Sequence, residues 1–235
     1  MALIPARGGS KSILKKNISL CAGKPLISYT LDAAKNSHWV TDIVVSTDCP
    51  AIAEVCADNG LFVDKLRPCS LAKDNTSAQE VLKYEILRLR EENRNYAAIV
   101  YLQPTSPLRT SHHIDQAVQL FFEMQASSVV SVTEVPHHFN PEGLYIFNEQ
   151  GGLCELEKSK KIYQRQLKKK YFARNGAAIY VLCPEVILNS ESIFGPKLLP
   201  YFMNKIDSID IDNEEDLYLA QLILQDRVLR NTISP

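Results

Sequence analysis

Six short runs dense in Val, Ile, Leu and Ala recur along this chain, and most of the stretches between them carry apolar residues at helical spacing. A strand, a crossover helix and another strand is the order that builds a mainly parallel sheet, because parallel neighbours cannot be joined by a tight turn. The strand runs are Ala2-Leu3-Ile4, 42–48, 97–102, 128–133, 177–182 and 208–212. Helices are expected from Pro25, from Pro50 to Asp58 before Asn59-Gly60, from a Thr76 or Ser77 cap to about Glu92, after a Ser111 cap, and at the C-terminal end. The fold class that follows is α/β, a Rossmann-like, mainly parallel sheet with helices on both faces. At 235 residues, 46% of them hydrophobic, one such core with an appendage can be filled. The alternation fails between 136 and 172, where Leu144–Phe147, a Gly151-Gly152 turn and Leu153–Leu156 read as a hairpin. That segment is expected to be a small inserted subdomain, with residues 1–135 and 173–235 forming the core.

The long loop after the first strand carries most of the chemical information. Between Ala6 and Lys24 it holds Arg7, Lys11, Lys15, Lys16 and Lys24, the pair Gly8-Gly9, and no acidic residue. Glycines let backbone N–H groups approach an anion closely, while Arg and Lys supply fork and point charge, so the loop reads as a phosphate cradle. The alternative is a solvated basic loop. Position favours the cradle, since ligands of open α/β sheets sit beyond the carboxyl ends of the strands. Neither G-x-x-x-x-G-K-[ST] nor G-x-G-x-x-G is present, which removes the P-loop reading and leaves an NAD-dependent oxidoreductase without its fingerprint.

Elsewhere the charges balance: 26 Lys and Arg face 27 Asp and Glu, for a net charge of −1. A general polyanion binder is disfavoured, and any anion site must be local. The exception is 158–174, a run of basic residues without an acid, which read alone suggests a nucleic-acid contact or a solvated face. Near the other end, Asp210 and Asp212 stand two apart in an expected strand. Both carboxylates would then point to one face, a spacing suited to Mg²⁺ bridging to phosphates. The competing reading makes Asp212 the cap of the last helix, in a box with Glu215. His112-His113 and His137-His138 diverge as neighbours and do not suggest zinc. The six cysteines include no C-x-x-C pair, no apolar run is long enough to span a membrane, and the first residues do not form a signal peptide, so a reduced, cytoplasmic protein is expected.

Ile4-Pro5-Ala6-Arg7-Gly8-Gly9-Ser10-Lys11, Lys16-Asn17 and Gly23-Lys24-Pro25-Leu26-Ile27 together resemble the signature of sugar-activating cytidylyltransferases. Leu102-Gln103-Pro104-Thr105-Ser106-Pro107-Leu108-Arg109-Thr110, Asn175-Gly176-Ala177 and Asp207–Asp212 narrow the resemblance to the acylneuraminate cytidylyltransferases. It covers essentially the whole chain. The resemblance implies transfer of CMP from CTP to the anomeric hydroxyl of a nine-carbon 2-keto sugar acid, with Mg²⁺ as cofactor, pyrophosphate as leaving group and a homodimer as the working form. It implies that Arg7, Gly8, Ser10, Lys16 and Asn17 hold triphosphate and ribose, and that Arg67, Asp74, Ser77 and Ala78 border the cytosine. Gln103, Asn175 and Tyr180 would meet the sugar acid, whose carboxylate Arg165 would grip, as a planar fork suits a carboxylate. Asp210 and Asp212 would hold the metal, Arg7 and Lys16 would neutralise growing phosphate charge, and Asp210 would take the hydroxyl proton. N-acetylneuraminate leads as substrate, ahead of legionaminate and pseudaminate, with a CMP-Kdo-type activity as a further alternative. Phe139-Asn140-Pro141-Glu142 stands where the family often has a lysine, and Arg174 directly precedes Asn175. Both departures lie near the expected sugar site and leave the identity of the sugar open.

Overall fold

A computed structural model describes residues 1–156 and 169–233. The chain enters through strand β1 (Ala2–Pro5), makes the basic loop with its minor strands β2 (Leu20–Cys21) and β3 (Lys24–Pro25), and continues into helix α1 (Leu26–Lys35). Strand β4 (Ile43–Ser46), helix α2 (Pro50–Asp58), helix α3 (Ala78–Glu91), strand β5 (Ile99–Tyr101), helix α4 (Ser111–Glu123) and strand β6 (Ser128–Glu134) follow. Then come the hairpin β7 (Tyr145–Phe147) and β8 (Leu153–Glu155), strand β9 (Phe172–Arg174), strand β10 (Tyr180–Leu182), helix α5 (Pro184–Asn189), strand β11 (Leu198–Phe202) and helix α6 (Glu214–Ile233).

The principal sheet has the order β11-β6-β10-β5-β1-β4, with β9 paired to the far end of β6. Strands β4, β1, β5, β6 and β11 share one direction, and β10 and β9 run against it. The sheet is therefore mixed but mainly parallel, as the alternation of elements requires. Successive side chains of β1 serve opposite faces. Ala2 and Ile4 pack with Ile27, Leu31, Ile52, Ile114 and Phe121 of α1, α2 and α4, whereas Leu3 packs with Leu82, Ile86, Leu89 and Ile187 of α3 and α5. Burial on both faces explains why these strands read as continuous apolar runs.

Four local expectations need correction. The run 208–212 is not a strand: it pairs with no neighbour, and its two-residue alternation arises because Ile211 is buried under α6 beside Ala220, Ile13 and Leu26. The last strand of the sheet is instead β11, an edge strand with Pro200 at its centre; Pro lacks a ladder donor and is tolerated there, which is why the segment does not look like a strand in sequence. Thr110, not Ser111, caps α4, its hydroxyl accepting from the His113 N–H at 3.4 Å. Pro25 is the N-cap of α1 rather than its first residue.

Candidate functional site

A cleft of about 480 Å³ opens beyond the carboxyl ends of β1 and β5. Arg7, Ser10, Lys16, Asn17, Arg67, Asp74, Ser77, Ala78 and Gln103 all line it, so nine positions chosen from widely separated motifs converge on one surface. Lys11, Tyr101 and Thr105 line it as well. Lys11 is visible in sequence as one of the loop cations and Thr105 as part of the Gln103–Thr110 motif. Tyr101 reads only as a strand residue.

The basic loop is held from several directions. Asn17 Nδ2 donates to the Arg7 carbonyl at 2.9 Å, which orients the start of the loop. Lys16 Nζ crosses the cleft to the carbonyls of Ile211 (2.7 Å) and Asp212 (3.2 Å), joining two segments 195 residues apart in the chain. An ammonium has three donors, so one remains for a ligand. Arg7 Nη1 and Lys11 Nζ both reach the Asp74 carboxylate, at 2.9 and 2.7 Å, and these two cations hold its pKa below the usual carboxylate range, Lys11 most strongly. Asp74 thus stands among the cations of the cleft.

Gly8 faces away from the lining. Its N–H donates to Asp48 Oδ1 at 2.9 Å, and a β-carbon there would lie 2.8 Å from Cys49 Cβ. The glycine is required by packing against the end of β4, and its N–H is already engaged. Ser77 is the N-cap of α3 in a reciprocal box with Glu80: the Glu80 N–H reaches the Ser77 hydroxyl and the Ser77 N–H reaches Glu80 Oε2. Arg67 is almost completely buried at the inner end of the cleft, and its Nε has no partner among the described residues. Burial pulls its pKa down, and Asp48 is the strongest charge acting the other way. Gln103 is fixed through its backbone, its N–H to the Ala177 carbonyl and its carbonyl to Arg109.

Asn175, Tyr180, Asp210 and Asp212 are outside the cleft lining. Asn175 is buried and donates to Ser208 Oγ and Met203 Sδ. The Tyr180 hydroxyl donates to the Gly176 carbonyl at 2.6 Å, and its ring stacks behind Tyr101. Both residues shape the wall rather than face the opening. Arg165 lies outside the described residues.

The two aspartates remain neighbours although their segment is irregular. Asp210 is half-buried against Gly176, and its Oδ1 is buried with no hydrogen-bond partner among the described residues. Burial raises the Asp210 pKa, with Thr105 acting against it and the charges of Asp212 and Asp216 adding to it. Asp212 is exposed, and the capping role expected for it belongs to its neighbour. Asn213 Oδ1 accepts from the Asp216 N–H at 3.0 Å while Asp216 Oδ2 accepts from the Asn213 N–H, a reciprocal box that leaves the Asp212 carboxylate out. An orphaned buried carboxylate oxygen beside a second, unengaged carboxylate fits a hard cation that takes one or two protein carboxylates and completes its shell with water and phosphate. No cluster of three or more His, Cys, Asp or Glu residues suited to a metal occurs among the described residues, so a cage built wholly by the protein is not available there.

Comparison with known proteins bears directly on this arrangement. The family model described as cytidylyltransferase matches residues 1–232. The chain belongs to the cytidylyltransferase family. Among its relatives, the N-acylneuraminate cytidylyltransferase of Streptococcus agalactiae serotype III is 35% identical over 219 residues, which cover 92% of this chain and 51% of that protein. The CMP-N,N'-diacetyllegionaminic acid synthase of Legionella pneumophila is 34% identical, with 96% of each chain covered. The pseudaminic acid cytidylyltransferase of Campylobacter jejuni is 30% identical over 95% of each chain. This cytidylyltransferase thus spans about half the length of the streptococcal relative and nearly all of the other two. Among solved structures, CMP:2-keto-3-deoxy-manno-octonic acid synthetase complexed with CTP superposes with a TM-score of 0.72 at 15% identity, covering 96% of this chain and 98% of that one. At that identity the likeness establishes a shared fold. No helix among the described residues is long and apolar enough to cross a membrane.

Proposed function

We propose that this cytidylyltransferase transfers CMP from CTP to the anomeric hydroxyl of a nine-carbon 2-keto sugar acid, releasing pyrophosphate. The observation that carries the reading is the convergence of the basic loop, Arg67, Ser77, Ala78 and Gln103 on a single cleft at the carboxyl ends of β1 and β5. The relatives named for N-acylneuraminate, legionaminic and pseudaminic acids support the acceptor class. N-acetylneuraminate is the leading acceptor.

The reaction demands positioning and charge neutralisation more than covalent help. Arg7, Lys11 and the free donor of Lys16 supply the positive field for the triphosphate, and Arg67 closes the inner end where the base would lie. Gln103, tied by its backbone to the core, offers its amide to the sugar acid. Asp210 and Asp212 would hold Mg²⁺, which would neutralise charge on the transferring phosphate. Asp210, whose basicity burial raises, would accept the hydroxyl proton.

A homodimer is part of the same reading. The β7–β8 hairpin exposes Tyr145, Ile146, Phe147 and Leu153, and Phe172 and Phe202 form an exposed ring pair with centroids 5.0 Å apart. An apolar surface of this kind is suited to a second copy. Arg165 would reach the sugar carboxylate from the segment between the hairpin and β9. The test is pyrophosphate release measured over the four nucleoside triphosphates and a panel of N-acetylneuraminate, legionaminate, pseudaminate and Kdo. Release with CTP and a nine-carbon acid is the expected result; release with no sugar acid, or with another nucleotide alone, overturns the proposal.

A further inference from the structure

Asp48 ends the polar tip of β4 and lies behind the cleft rather than in its lining. Its Oδ1 accepts the Gly8 N–H at 2.9 Å, which fixes the first turn of the basic loop immediately after Arg7. The same tip holds the other arm of the cleft. The Arg67 N–H donates to the Thr47 carbonyl at 2.7 Å, and the Cys49 N–H donates to Thr47 Oγ1 at 3.1 Å, so residues 47–49 form a rigid hub. Arg67 is 5% exposed, makes no ion pair among the described residues, and has Asp48 as the strongest opposite charge acting on it. A β-carbon on Gly8 would lie 2.8 Å from Cys49 Cβ, so only glycine lets the loop approach residues 48 and 49 this closely.

We infer that Asp48 is a positioning residue that couples the two arms of the nucleotide cleft, shaping the anion loop through the Gly8 N–H and holding the buried Arg67 guanidinium by its charge. The inference rests on the nucleotidyl-transfer reading of the cleft, and goes beyond it by assigning a residue that touches neither substrate. The physical ground is that each interaction fails expensively. A half-buried N–H without its acceptor and a buried cation without its counter-charge both rearrange toward water, and the lining moves with them.

The two functions separate by substitution. Asp48→Asn keeps an oxygen for the Gly8 N–H and removes the charge; Asp48→Ala removes both. Binding is measured by calorimetry with two probes, inorganic triphosphate for the loop arm and CTP for both arms, alongside thermal unfolding. Asp48→Asn should bind inorganic triphosphate as the native protein does and CTP about tenfold more weakly, the size of losing one nearby opposite charge. Asp48→Ala should weaken both probes. A purely structural role would lower the melting temperature and shift both probes equally in Asp48→Asn, and that result overturns the inference, as does native CTP affinity in Asp48→Asn. Unchanged triphosphate binding in Asp48→Ala overturns the loop half. Should Asp48→Ala not fold, the probe split in Asp48→Asn still decides. Failure of the transfer reading appears separately, as absent pyrophosphate release by the native protein.

Discussion

Replacing Gly176 by alanine perturbs the proposed metal-binding aspartates without replacing a charged group. Gly176 has φ of +66°, and a β-carbon built there lies 2.3 Å from Asp210 Oδ2 and 2.5 Å from its Cγ. Two effects follow, and they can be separated. The left-handed backbone costs an alanine about 1 to 2 kcal/mol wherever it occurs. The clash is particular to this position: the Asp210 carboxylate must retreat by about 1 Å to reach ordinary contact, and a displacement of that size at a reacting group costs on the order of 10² in rate. Gly60 supplies the control, with φ of +69° and no atom nearer than Lys35 Nζ at 3.8 Å. Both alanine variants should lose similar stability in denaturant titrations. Only Gly176→Ala should lose turnover, measured as initial rates of pyrophosphate release at saturating CTP across a Mg²⁺ series. Turnover by Gly176→Ala close to that of Gly60→Ala refutes the argument that Asp210 acts from this seat.

The remaining predictions address other parts of the site. Asp74 offsets part of the charge of Arg7 and Lys11, so Asp74→Asn should tighten inorganic triphosphate binding several-fold; weaker binding in calorimetry makes Asp74 a direct ligand instead. Asn213→Ala should cost about 1 kcal/mol of stability as a lost cap and keep native turnover, whereas Asp212→Asn should keep stability and lose on the order of 10² to 10³ in kcat. The reverse pattern removes Asp212 from the metal site. Arg165→Lys should raise KM for the sugar acid about tenfold with KM for CTP constant, and an unchanged sugar KM excludes Arg165. Burial holds the His113 imidazole below its ordinary value despite Asp207 beside it, and its Nδ1 accepts the Thr110 N–H at 3.2 Å. The unfolded chain therefore takes the proton first, and stability falls as pH drops below the ordinary histidine value of about 6.5. His113→Gln should flatten that fall; equal acid slopes for the two proteins dismiss it.

How much of this was legible in the sequence depended on whether a signal was local. The helices α2 and α3 were readable to within a residue because their caps and stops are spelled in adjacent positions, Pro50 and Asn59-Gly60 in one case, Ser77 and Glu80 in the other. Strand β11 was not, since Pro200 at the centre of Leu198–Phe202 argues against a strand in sequence, although its pairing with β6 runs unbroken because an edge strand tolerates a missing donor. The 208–212 segment misleads for the opposite reason. A single buried residue, Ile211, whose N–H reaches the Thr105 carbonyl at 2.8 Å, is enough to produce alternation without any sheet.

The site divides along the same line. Residues suited to meeting an anion stand out because they break local expectations, as with cations crowded around Gly8-Gly9 and aspartates alternating with isoleucines. Residues that hold them do not, because their partners are distant in the chain. Arg109 is the sharpest case. A charged residue is expected at the surface, yet the fold buries its guanidinium against the carbonyls of Gln103 and Ala178 and the hydroxyl of Thr30, with Nε unpartnered among the described residues. It joins the end of β5, the approach to β10 and the middle of α1, three elements that meet only once the sheet is ordered. Its bond to the Gln103 carbonyl also fixes the residue proposed to meet the sugar acid. The fold thus uses a buried cation where a hydrophobic side chain would have filled the space but taken away a donor from the Gln103 and Ala178 carbonyls. The requirement was set by backbone polarity at the carboxyl ends of the strands, which is also where the cleft opens.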